Sequence, residues 1–109
     1  MAILKQWIEE EAKGEPIEGV VIGEMGWGGF GSEKVPMYKE CPKNVLLAWE
    51  EAVPFISYEF DDGFGAPECQ AVTAWTRSKV ISVSQYDGST SVYSLPRHPI
   101  DHEPNMVGG

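Results

Sequence analysis

Between Phe60 and Cys69 the chain reads "FDDGFGAPEC", its densest run of side chains that could do chemistry. Asp61, Asp62 and Glu68 offer carboxylates and Cys69 a thiol, a set that could hold a cation or work as acid, base and nucleophile. A calcium loop needs alternating oxygen ligands and a distant bidentate Glu, and this spacing fits no EF-hand. Adjacent carboxylates on an extended chain point to opposite sides, which opposes a shared acid–base role. Asp tolerates tight turns and Gly supplies positive φ, so the segment is expected to be a loop joining two strands.

A nucleophilic enzyme would need Cys69 or Cys41 beside a histidine. His98 and His102 are the only histidines, and both follow the last apolar run. Pro99 between them opposes a helical pair of metal ligands, and neither a CxxC nor a GxSxG elbow occurs. The enzyme alternative therefore rests on Asp61, Asp62, Glu68 and Cys69 meeting a tail histidine. No residue is singled out as catalytic, and no metal or cofactor is expected. "GWGGFG" (26–31) satisfies GxGxxG literally, but Pro36 blocks the helix that a dinucleotide site requires. It reads instead as a loop anchored by Trp27 and Phe30.

These loops need elements to hold them. "AILKQWIEEEAKG" spaces Ile3, Leu4, Trp7, Ile8 and Ala12 for one helical face, with Lys13-Gly14 as its stop. "IEGVVIG" (17–23) reads as a strand. A second helix is predicted over 45–53, capped by Asn44 and closed by Pro54. The period then becomes two, giving strands at 55–60, 70–76, 79–86 and 90–95. Asp87-Gly88 carries the chemistry of a two-residue type I′ turn. The expected fold is an α+β two-layer domain in the order αβαββββ, with two helices on one face of a mainly antiparallel sheet of four or five strands. A single domain over 1–95 and a proline-rich tail over 96–109 complete it, the tail packed at first and frayed at its end.

The hairpins also assign faces. Pairing Tyr86 with Ser89 puts Val72, Ala74, Ile81, Val83 and Val92 on one side, a floor for helices. The other side carries Trp75, Ser82, Ser84, Tyr86, Ser91, Tyr93 and Leu95. Aromatics among small hydroxyl residues suit a binding surface, with the Trp27–Phe30 loop at its rim.

The totals bound the function. The 109 residues suffice for a core without disulfides or metal. Seventeen acidic against eight basic residues give a net charge of −9, which repels nucleic acid and anionic lipid. An acidic DNA mimic is the inverse possibility, though the carboxylates are scattered in short groups. The start of the chain lacks a signal-peptide pattern and no apolar run is long enough for a membrane span, so a cytoplasmic protein with reduced thiols is expected. "AWTRSKVISVSQYDGSTSVYSLPRHP" (74–99) resembles the C-terminal strand pair of small bacterial proteins carried on integron cassettes and phages. The resemblance covers about a quarter of the chain and implies an accessory protein of a mobile gene pool, with no functional residue to carry over. The sequence thus points to a non-enzymatic binding or self-association module whose partner is a small molecule, another protein or a second copy in a homo-oligomer.

Overall fold

The structure, a computed structural model, describes residues 1–29, 31–63, 65–86, 88–104 and 106, with Trp27 described by its backbone alone. The first helical face forms as its spacing dictates: α1 (Leu4–Ala12) buries Leu4, Ile8 and Ala12. The helix starts later than the apolar pattern does. Ala2–Ile3 is drawn out as β1, pairing antiparallel with β4 (Glu59–Phe60). Trp7 stacks edge-on against Phe60, with ring centroids 5.5 Å apart. Lys13 ends the helix in the left-handed region (φ 52°), its N–H donating to the Glu10 carbonyl.

The main sheet has five strands, all antiparallel, in the order β3-β2-β5-β6-β7. They are β2 (Gly19–Met25), β3 (Leu46–Leu47), β5 (Gln70–Trp75), β6 (Lys79–Tyr86) and β7 (Ser89–Pro96). Both hairpin registers follow the turn chemistry. Tyr86 pairs with Ser89, Ser82 with Tyr93 and Trp75 with Val80. Gly88 has φ 81°, as a type I′ turn requires at its second position. Asp87 lies outside the described residues.

The helix expected over 45–53 is corrected. The Asn44 N–H donates to the Ile22 carbonyl at 2.8 Å, drawing the chain alongside β2, where Leu46 and Leu47 pair as β3. Asn44 is therefore no cap and has φ 65°. Helix begins only at α3 (Trp49–Ala52), where the Ala48 N–H donates to Glu51 Oε1 at 2.9 Å. Pro54 does not close it but enters a following 3₁₀ turn, Val53–Phe55. The strand expected over 55–60 shrinks for the same reason. Ile56 and Phe60 are buried, so the period of two marked burial; only Glu59–Phe60 is a strand, outside the main sheet.

One face of the main sheet forms the core. Val20, Ile22, Val72, Ala74 and Ile81 pack with Leu4 and Ile8 of α1 and with Ala52 and Ile56, while Val83 and Val92 lie half-buried against them. Lys79 Nζ donates to the Glu11 carbonyl, and Ser94 Oγ to Glu11 Oε2 at 2.6 Å, fixing α1 beneath β6 and β7. Of the tail, expected to pack at first and fray at Gly108-Gly109, the end lies outside the described residues. Arg97 is tied to the sheet through its N–H to the Ser78 carbonyl at 2.9 Å, whereas residues 98–104 and 106 are exposed.

Candidate functional site

The acidic loop does not assemble as a reaction centre. Asp61 Oδ1 accepts the Gly63 N–H at 2.9 Å, a local turn. The Asp62 carbonyl accepts the Thr90 N–H at 3.1 Å, which pins the loop beside the start of β7. Cys69 is only 2% exposed, and burial pushes its thiol up to about 12, far from a thiolate at neutral pH. Cys41 is buried too, its thiol raised by burial against a smaller opposing pull from Lys43. Neither forms a disulfide. His98 follows Pro96, and strand geometry puts Thr90 and Pro96 roughly 20 Å apart. Cys69, His98 and the carboxylates therefore do not converge. Among the described residues no three or more His, Cys, Asp or Glu side chains cluster so as to hold a metal ion.

Tyr58 and Gln70 occupy the core behind this loop. Tyr58 Oη donates to Gln70 Oε1, and Gln70 Nε2 donates to the Phe55 carbonyl at 3.3 Å. Burial first, then the neighbouring Cys69, raises the Tyr58 pKa well above its usual value, so the phenol stays neutral. This cluster is a satisfied interior, not a catalytic one.

The face of the sheet turned away from α1 has a different character. Register lays it out in rows across the strands. Gly19, Trp75, Val80 and Leu95 form one row, and Leu46, Val21, Thr73, Ser82 and Tyr93 the next. Ser84 and Ser91 follow, then Tyr86 with Ser89. None of these positions is charged, in a chain with 17 acidic and 8 basic residues. Leu46 is 71% exposed, Tyr86 56% and Leu95 44%; the others at these positions are half-buried or exposed, apart from Gly19, which is buried.

A depression of about 470 Å³ lies at the Trp75 end, lined by Gly19, Val21, Leu46, Trp75, Glu18 and Arg97. Gly19 makes its floor. A Cβ there would stand 2.9 Å from Leu46 Cδ1, so any larger residue would make the tip of the exposed Leu46 side chain shift from its place across β2. Arg97 forms the rim, its Nη1 donating to Glu18 Oε1 at 2.5 Å and to the Thr76 carbonyl at 2.9 Å. The site is an apolar hollow with one ion pair at its lip.

The face expectations thus divide. Trp75, Ser82 and Tyr93 lie on adjoining rows. Tyr86 shares the face but is set apart from Trp75 by the Ser84–Ser91 row. Of the loop expected at the rim of this face, Gly26–Gly29 lies at the end of the sheet away from the Trp75 hollow. Met25 pairs with Gln70 and Gly19 with Trp75, so α2 (Gly26–Gly29) follows β2 at the sheet's other end. The Trp27 side chain and Phe30 lie outside the described residues. Gly19, Val21 and Leu46 were not foreseen, because they join the face only through the β2–β3 pairing. The signal was a glycine opening the β-rich run "GVVIG".

Comparison with protein-family models, with curated proteins and with solved structures found no match for this chain.

Proposed function

We propose that the protein is a non-enzymatic binding module whose working surface is the open sheet face centred on Trp75 and Tyr93. The observation that carries this reading is the absence of charge from the strand positions of that face in so acidic a chain, the one ion pair standing at its rim. Interface centres are depleted of charge and enriched in aromatics, while exposed charge elsewhere keeps a protein soluble. In a two-layer domain with its helices on one face, the other face is left for a partner. The hollow at Trp75 suits an apolar ring or side chain, of a small molecule or of another protein. Serine and threonine hydroxyls on the next rows can serve its polar edge. An accessory protein of a mobile gene pool, as the 74–99 resemblance implies, could work through such a surface.

The test is the double change Trp75→Ala with Leu46→Ala, which opens the hollow without touching the core. A neutral solvatochromic dye should bind the unaltered chain and lose most of its signal on the variant, with thermal melts nearly superimposed. Equal dye binding by both proteins would remove this face as the working surface. Global unfolding of the variant would mean that these side chains hold the fold.

A further inference from the structure

The main sheet has two edges of unequal kind. β3 is two residues long, whereas β7 runs for eight. From Ser89 to Leu95 the edge reads "STSVYSL", with no charge and no proline, the usual devices that stop an edge from pairing. Antiparallel ladders alternate, so register fixes which backbone groups face outward. Tyr86 and Ser89 flank a two-residue turn and bond to each other; the groups of Thr90, Val92 and Ser94 then point away from β6. The Thr90 N–H confirms this parity by donating outward to the Asp62 carbonyl at 3.1 Å. Among the described residues, the amides of Val92 and Ser94 have no such acceptor. Pro96 has no N–H to satisfy.

We propose that this edge pairs with β7 of a second copy, antiparallel, about a twofold axis at Ser94. The occupant follows from what blocks the edge. Asp62 already fills the place opposite Thr90, so an incoming strand must leave the sheet there. β7 itself meets that condition, since it ends at Pro96 and its exposed tail follows. With Pro96 of one copy opposite Val92 of the other, the tail departs where Asp62 stands. Ser94 then exchanges both backbone bonds with its counterpart, and the Val92 N–H donates to the Pro96 carbonyl. Every outward N–H left on either strand is used, and the residue without an N–H sits where none is needed. On the open face Tyr93 comes opposite Leu95 of the second copy and covers a side chain otherwise 44% exposed. The axis stands normal to the sheet, so both charge-free faces lie on one side and join. The inference rests on the β7 backbone and goes beyond the reading of the face.

The experiment mixes a Tyr93→Cys protein with a size-tagged Leu95→Cys protein under mild oxidation, at about 0.15 M salt to screen the net charge. Tyr93 and the opposing Leu95 form a non-hydrogen-bonded pair with Cα atoms about 4.5 Å apart, within disulfide reach. The native Cys41 and Cys69 are buried and do not compete. The expected product is the mixed dimer, several-fold above either self-dimer and above a Trp75→Cys control two strands inside the edge. The unaltered chain should sediment with a mass that rises toward twice the monomer with concentration. No mixed product above the control, or a monomeric mass at every concentration, overturns the proposal. A dominant Tyr93→Cys self-dimer overturns the Ser94 axis. Cross-linking together with equal dye binding by the unaltered chain and the Trp75→Ala, Leu46→Ala variant fails the face alone, whereas loss of dye binding in that variant without any cross-linking fails the edge alone.

Discussion

At the scale of single residues, two glycines shape the molecule in ways that differ in legibility. Gly88 was legible because Asp-Gly between alternating runs has one preferred backbone, and its φ of 81° agrees. A β-branched residue cannot adopt that conformation without strain. Gly88→Val should therefore cost on the order of 1–3 kcal/mol, seen as a lower urea midpoint at unchanged slope. An unchanged midpoint would remove the turn as the source of the register. Gly19 was not legible, because the close approach it accommodates comes from Leu46, across a pairing no local pattern announces. Cys69 is a further case. Its neighbours in sequence suggest reactivity, while its burial makes the thiol inert.

At the scale of elements, the β5–β6–β7 meander was readable almost to the residue, since its strands alternate and its turns are short. The 45–53 segment was not. Val45, Leu46, Trp49 and Ala52 do fit a helical stripe, but backbone pairing with β2 takes Leu46 and Leu47 before a helix can start. Tertiary pairing overrides propensity here. The candidate site shared this fate: the part built on the meander was foreseen, and the part built on β2 and β3 was not. One tie between elements gives a pH signature. Glu15 accepts Thr76 Oγ1 at 2.6 Å and Ser78 Oγ at 2.7 Å, clamping the segment after α1 to the β5–β6 turn. The Thr76 and then the Ser78 hydrogen bonds lower its pKa, with a smaller pull from Arg77. A carboxylate lowered by folding stabilises above its unfolded value, about 4.3, and loses that contribution as pH falls through the folded value. Glu15→Gln should therefore lower the urea midpoint at neutral pH, with the gap to the unaltered chain closing in acid. A gap constant from pH 7 to about pH 2 would refute the clamp.

At the scale of the whole molecule, charge and face organise the surface together. The exposed acids lie on several elements, with Glu10 on α1, Glu50 and Glu51 on α3 and Asp61 in the loop after β4, while the strand positions of the open sheet face have none and Glu18 stands at its rim, paired with Arg97. With a net charge of −9, the chain should not bind nucleic acid. The demanding test is a titration of labelled duplex and single strand at low salt, where electrostatic attraction is strongest. Tight, salt-sensitive binding would overturn this reading of the surface. A DNA mimic would instead capture basic nucleic-acid-binding proteins. No helix among the described residues is long and apolar enough to cross a membrane.

The hydrogen bond from Ser94 to Glu11 joins residues 83 apart in sequence. It means that the floor of α1 is incomplete until the last hairpin exists. A nine-residue helix is marginal alone, so its helicity should appear in refolding only with the meander that buries it. The slow step is then closure of that long span rather than winding of the helix. Until it closes, the apolar face of α1 is only partly covered, and the interval before that closure is when the chain is most open to capture by a chaperone or a protease.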